Sequence, residues 1–430
     1  MKTLSEFIKS CTDSWHTAAE IAKTLEKSGF TALAEGEKWD LKKGGKYYVM
    51  RNMSSVIAFK IPDENFKSYM ITAAHGESPS FKIKAVPNLA DEHYIRLNTE
   101  GYGGPLLSSW LDRPLSVSGR VVVEEGERLD IRLVNLDRDS LIIPSLAPHL
   151  DRTPKGEREL SIARDMPPLY ALGTDDCDFM DEIAMLADTT RDKIKGHDLM
   201  LYSREEARIW GKNNEFISAP RLDDLQCVYA LLCGFIKGAN LKTIQVYCTF
   251  DNEEVGSGTR QGAKSDFLPS TLMRISEAFG LSYSEHMQRL ASSFMVSADN
   301  GHAIHPNHKE ASDVANFPKI NGGVVIKYSA SQRYTTDALS EAIFKKICER
   351  ANVPYQVYAN RSDIAGGSTL GNFASEKTSV PTVDIGLSQL AMHSSYETAG
   401  ALDTQYLTDA ISEFYDSSLD LISGGESIIF

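Results

Sequence analysis

The chain has 430 residues, more than one hydrophobic core usually covers, so two domains and a sizeable core are expected. With 42% hydrophobic and 24% charged residues and no low-complexity tract, it has the composition of a soluble globular protein rather than a disordered one. A net charge of −14 repels phosphate backbones, and no Lys/Arg cluster is interleaved with aromatics, which argues against nucleic acid as a partner.

The opening stretch "MKTLSEFIKSCTDSWHTAAEIAKTLEKSGF" reads as an amphipathic helix stopped by Gly29. Charge breaks its apolar residues every few positions, so it is neither a signal peptide nor a membrane span. Residues 46–60 and 68–74 are β-rich runs separated by turn formers, so a sheet begins early. From about 90 to 210 the texture changes. "RPLSVSGRVVVEEGERLDIRLVNL" alternates apolar and polar residues like solvent-facing antiparallel strands, and a Pro-rich, charged stretch follows.

After residue 220 the pattern becomes helix, strand, helix. "LDDLQCVYALLCGFIKG" has apolar positions at helical spacing and ends in Gly238, while "TIQVYCTF", "SSFMVSA" and "SVPTVDIG" read as buried strands. Residues 335–350 and 404–422 look helical. The whole is an α/β fold with a central mixed sheet flanked by helices, interrupted by a β-rich insertion. Residues 1–88 and 213–430 form the main domain and 89–212 the insertion. Cys11, Cys177, Cys227, Cys233, Cys248 and Cys348 show no CxxC pairing or small-domain framework, which fits a reducing cytoplasm.

Metal-type ligands fall in one kind of place. His75 closes "YMITAA", Glu253 and Glu254 follow "IQVYCTF", Asp299 follows "SFMVSA", and His393 lies just past "TVDIGLSQLAM". In open α/β sheets ligands bind at the carboxyl ends of strands, so these residues can converge on one crevice. Asp223 adds another carboxylate, although an Asp ahead of a helix is commonly an N-cap. Such a mixed N/O set suits zinc or a similar divalent ion, and it is too large for one tetrahedral ion. Two ions sharing a carboxylate would use it all. Neighbours in an extended backbone point to opposite sides, so Glu253 and Glu254 should differ in role. One ligates. The other, beside a water made acidic by metal, is placed to act as general base.

The blocks "AAHGESPSFKIK", "SAPRLDDL", "FDNEEVGSGTR", "SADNGHAIHPNH", "IKYSASQRYTT", "GGSTLGN" and "DIGLSQLAMHS" run in order from about residue 70 to 397, with "SWHTA" near the start. Together they resemble the M18 family of metallo-aminopeptidases, the aspartyl aminopeptidase family. The resemblance implies a co-catalytic zinc exopeptidase-like domain interrupted by a dimerisation domain, built into a homo-oligomer of dimers that is usually a dodecamer. It implies two divalent ions, zinc, with cobalt or manganese as alternatives. His75 and Asp299 would hold one ion, Glu254 and His393 the other, Asp223 would bridge them, and Glu253 would be the base. It also implies a cis peptide bond between Asp223 and Asp224. Where the family usually has Asp two residues after the first His, this chain has Glu77, whose side chain is expected to reach the same ring nitrogen.

The implied reaction is removal of an N-terminal residue, preferably Asp or Glu, from peptide substrates. Lys327 matches a family lysine associated with the acidic side chain. His149 matches a histidine that reaches the neighbouring subunit's site, and His302 and His305 match positions lining the site. Gly366 and Gly367 would let backbone amides approach the peptide. Two other readings stay open. A related carboxypeptidase or deacylase would need a cation for the substrate's carboxylate, and Arg333 and Arg361 leave that possible. A catalytically silent assembly protein would keep the shell without the chemistry.

Overall fold

The computed structural model describes residues 2–151, 159–173, 177–239, 242–422 and 427–429, without the side chains from residue 420 onward. A nine-stranded sheet runs in the order Thr31–Leu33, Lys46–Arg51, Ser55–Lys60, Ile244–Phe250, Tyr69–His75, Phe294–Ala298, Thr382–Gly386, Val324–Tyr328 and Tyr355–Ala359. Four adjacent strands at its centre, those ending at Phe250, His75, Ala298 and Gly386, are mutually parallel. Their carboxyl ends therefore share one edge. All four are buried along their length, as a parallel sheet covered on both faces requires.

The alternation of side chains along Tyr69–His75 separates two cores. Met70 and Ala74 pack with Ile21, Leu231, Phe344 and Ile411, which come from the helices Ser14–Lys27, Leu222–Lys237, Ala338–Ala351 and Asp403–Asp416. Tyr69, Ile71 and Ala73 pack with Phe267, Leu272 and Leu370 from the helices Phe267–Ala278 and Leu370–Thr378. A six-stranded antiparallel sheet spans Ser80–Ala90 to Ile194–Ser203 and has its own core. Its hairpin Leu115–Glu125/Arg128–Asn135 turns at Gly126 and Glu127, with Gly126 at φ 66, the positive φ that a two-residue hairpin loop demands. A small five-stranded sheet carries Gly301–His302, Ser388–Leu390 and Glu397–Gly400.

Two expected elements differ. The N-terminal segment is two helices, Leu4–Ser10 and Ser14–Lys27: the backbone leaves the helical region at Cys11, and Asp13 caps the second helix by accepting the His16 N–H at 2.9 Å. Gly29 does end the second, at φ 83. The last helix ends at Asp416, not 422, and a short strand Asp420–Ile422 follows.

Candidate metal centre

Five of the ligand candidates meet on the shared strand edge. His75, Asp223, Glu254, Asp299 and His393 line one cleft of about 400 Å³ together with Glu253, His302, Lys327 and Gly367. The Asp223–Asp224 peptide bond is cis, as the resemblance implied, and the helix Leu222–Lys237 is kinked there. Asp223 is no N-cap: its side chain faces both imidazoles.

Ring geometry shows what the cleft calls for. His75 Nδ1 lies 3.0 Å from the Glu77 carbonyl oxygen, which can only accept, so Nδ1 carries the proton. Its Nε2 then presents a lone pair to Asp223 Oδ1 at 3.4 Å and Asp299 Oδ1 at 3.7 Å. His393 repeats the arrangement. Its Nδ1 donates to the Gly104 carbonyl at 3.2 Å, and its Nε2 faces Glu254 Oε2 at 3.3 Å and Asp223 Oδ2 at 3.9 Å. Lone pairs oppose lone pairs on both sides of Asp223, one oxygen to each ring. Asp223 Oδ1 is buried without a hydrogen-bond partner.

Such an arrangement needs positive charge between the facing atoms, from protons or from cations. Burial works against a charge on His75, yet Asp223, Asp299 and Glu77 hold its pKa well above the ordinary imidazole range. Burial, with Asp223 close by, pushes Glu254 well above the usual carboxyl range. Burial opposes the charge of Asp299 too, but Lys327 and His75 outweigh it and hold that carboxylate low. Ligand atoms of His75, Asp223 and Glu254 lie within 4.8 Å of one another, as do those of His75, Asp224 and Asp299. The donor set is nitrogen and carboxylate oxygen, with each ring nitrogen oriented by a carbonyl behind it, which fits zinc-type ions.

Glu253 and Glu254 do not lie on extended backbone. They open a 3-10 turn, Glu253–Val255, after Asn252 at φ 63. Successive residues of such a turn still diverge by about a third of a turn, so the two carboxylates separate as expected, by a different route. Glu254 pairs with His393, while Glu253 lines the cleft with no ion pair among the described residues. Burial and the Asp299, Glu77 and Asp223 carboxylates push Glu253 up to about 8 against the pull of His75. Asp251, the first of the acidic cluster, turns away from the cleft. It lines a separate cavity of about 190 Å³ between the two large sheets, with Glu77, Tyr102 and Arg221.

Glu77 departs from expectation. Its backbone, not its side chain, takes the His75 ring proton, and Oε2 stands 3.7 Å from that nitrogen. Oε1 instead accepts the Glu254 N–H at 3.1 Å and lies 3.4 Å from the Tyr102 hydroxyl. Lys327 is buried in the cleft wall, bonded to the Asn300 carbonyl at 2.9 Å and 3.3 Å from Asp299 Oδ2. Gly366 does not line the cleft, and its carbonyl accepts from Arg333. His305 lies outside the cleft against His308. His149 sits in an exposed turn, also outside the cleft. Arg361 is taken up by Asp363 at 2.6 Å, and no arginine is among the cleft's described lining residues.

Three contributions went unread in the sequence. The loop after Tyr94–Tyr102, from the six-stranded sheet, reaches the centre: a Cβ on Gly103, at φ 72, would lie 2.8 Å from Glu254 Cβ, and Gly104 orients His393. The Gly doublet after a strand was the available signal. Asp224 and Glu397 are buried beside the ligand candidates, and a carboxylate inside the run "YETAG" was the only hint of the second.

Residues 7–415 match the family model of the aminopeptidase I zinc metalloproteases, M18. A Clostridium acetobutylicum protein named "Probable M18 family aminopeptidase 2" is 41% identical over 424 residues, covering 96% of this chain and 98% of that protein. Among solved structures, a chain of the Ape4 and Nbr1 complex superposes with a TM-score of 0.92 at 33% identity, covering 96% of this chain and 84% of that one. The S. cerevisiae mApe1 dodecamer gives a TM-score of 0.84 at 26% identity, covering 96% and 95%.

Proposed function

This chain belongs to the M18 family of zinc metallo-aminopeptidases and is a hydrolase of that class, and from that premise we propose that it removes acidic N-terminal residues from peptides at a two-ion centre, with Glu253 as general base. The observation that carries the reading is the pair of imidazole Nε2 atoms, each aimed at one oxygen of Asp223 and at a further carboxylate. His75 and Asp299 would hold one ion, Glu254 and His393 the other, and Asp223 both. Bound divalent ions would supply a polarised scissile carbonyl and a water acidic enough to be deprotonated near neutrality.

The chain's own residues do the rest. Glu253, which lines the cleft with no ion pair among the described residues, takes a proton on its carboxylate and returns it to the leaving amine. Glu253 must be ionised to accept that proton, and positive charge at Asp223 and Asp299 would lower it from about 8. Lys327, which lines the cleft with its ammonium on the Asn300 carbonyl and beside Asp299, would meet an acidic first side chain. His302 and Gly367 line the same wall. Gly366 stands outside that lining, with its carbonyl accepting from Arg333.

With no arginine among the described residues that line the cleft, the carboxypeptidase reading loses its anchor for a substrate carboxylate. The unbroken ligand set speaks against a silent assembly protein. The mApe1 dodecamer and the exposed apolar face of the six-stranded sheet support a homo-oligomer built from dimers through residues 89–212. In it the exposed His149 would reach the neighbouring subunit's site. No helix among the described residues is long and apolar enough to cross a membrane, and all six cysteines are unpaired, which suits the cytoplasm.

The test is a substrate profile of zinc-loaded protein on Asp, Glu and Leu aminoacyl amides and their N-blocked forms. Turnover should be fastest on free Asp and Glu amides. Activity confined to blocked substrates would reject the assignment.

A further inference from the structure

Resting on the two-ion reading, we infer that Glu397 and Asp224 are positioning residues that hold the two halves of the ligand set at a fixed spacing. Both are buried, at 1% and 0% exposure. Neither needs to be a ligand to matter: Glu397 grips the backbone of two ligand candidates, and Asp224 grips that of one and of the residue next to another.

Glu397 joins one pair. Its Oε2 accepts the Asp223 N–H at 3.0 Å and its Oε1 the His393 N–H at 2.8 Å. Asp224 joins the other. Its Oδ2 accepts the His75 N–H at 3.4 Å, and its Oδ1 accepts the N–H of Asn300, next to Asp299, at 3.2 Å. The two clamps are themselves connected. Gln389 Nε2 donates to Glu397 Oε1 at 3.4 Å, and Asn300 Nδ2 donates to Gln389 Oε1 at 2.9 Å. One buried hydrogen-bond chain thus runs from His393 and Asp223 through Glu397, Gln389, Asn300 and Asp224 to His75.

A carboxylate is the side chain this task requires. It offers two acceptor oxygens and no donor, so it satisfies two converging N–H groups at once. A carboxamide of the same shape has one acceptor and one NH₂, so one of the two amides would face a donor. That misfit moves either Asp223 or His393, and such outer contacts typically tune metal affinity about 10–100-fold. Because Glu397 holds His393, which serves only the ion held with Glu254, its loss should fall mainly on that ion. Because Asp224 spans His75 and the Asp299 segment, its loss should fall on the other ion.

The experiment strips the full-length protein with chelator, reloads it with zinc and measures stoichiometry and affinity by equilibrium dialysis, beside the thermal melt of the stripped form. Wild type should take two equivalents. Glu397→Gln should keep one near wild-type affinity and bind the second about 10–100-fold more weakly, while its stripped form still melts cooperatively. Asp224→Asn should weaken one equivalent in the same way, and the pair of variants should differ in which ion is lost, read by cobalt absorption on reloading. Gln389→Leu cuts the link but leaves both clamps, and keeps the idea testable if Glu397→Gln does not fold. It should weaken the second equivalent by up to about 10-fold. Two equivalents at wild-type affinity in both Glu397→Gln and Gln389→Leu, or equal weakening of both ions, would overturn the inference. Fewer than two equivalents in wild type would instead overturn the two-ion reading and the inference with it.

Discussion

The strands ending at His75, Phe250, Ala298 and Gly386 are buried from end to end, whereas on the edge strand Arg128–Asn135 of the six-stranded sheet Leu129 and Ile131 are 60% and 45% exposed. A parallel sheet covered by helices on both faces keeps only its strand ends open, so polar chemistry collects there. An antiparallel sheet can leave one face uncovered, and an apolar row on that face calls for a partner. One region is built around a cleft and the other around a surface. They meet at Tyr102–Gly104, where the second sheet reaches into the first one's site.

The sharpest break of that division is Glu253→Gln, which should lower turnover by about 10²–10⁴-fold with metal content unchanged, because it removes a proton acceptor and no candidate ligand. Loss of zinc along with activity would move Glu253 into the ligand set. Next in size is Lys327→Met. Relative kcat/KM for Asp over Leu amides should fall roughly 10–100-fold, provided zinc analysis shows the neighbouring Asp299 still loaded.

Gly103→Val tests the meeting point. A side chain there meets Glu254 Cβ and must adopt a positive φ, so turnover and zinc affinity should fall by about an order of magnitude although the change lies in the second sheet. Wild-type values would show that the loop only touches the centre. The surface itself is tested by Leu129→Glu with Ile131→Glu, which should lower the particle mass measured by light scattering without altering zinc per chain. A loss of turnover on dispersal, matched by His149→Ala in the intact particle, would tie the exposed turn to a neighbour's cleft.

The smallest effect is in stability. Glu253 is raised in the folded state from 4.5 to about 8, so the folded metal-free protein holds a proton there that the unfolded chain has released. Stability from this group is full below about 4.5 and is lost as pH rises through about 8. The Tm of stripped protein should therefore drop by a few degrees between pH 5 and pH 8, while zinc, which displaces protons, should protect more at the higher pH. A zinc-induced Tm gain that does not grow with pH would contradict the charge balance drawn for the cleft.

Much of this was legible in the residues themselves. His75, Asp299 and the glutamate pair could be placed because each follows an apolar run that only a buried strand explains, and because strand ends in such folds share an edge. The helical repeat of "LDDLQCVYALLCGFIKG" and the alternation of "RPLSVSGRVVVEEGERLDIRLVNL" likewise carry their own geometry. The N-terminal break at Asp13 was missed because an N-cap interrupts a helical pattern without changing its polarity.

Local side-chain type and periodicity determined the strands, the helices and the kind of metal chemistry, since those depend on near neighbours in the chain. Only the tertiary structure decided what each carboxylate does. Asp251 faces another cavity, Glu77 holds Glu254 rather than a ring, and Asp224 and Glu397 grip backbone amides. The physical reason is reach: a carboxylate takes whichever donors lie within about 3 Å of it, and for Glu397 one of those is 174 positions away along the chain.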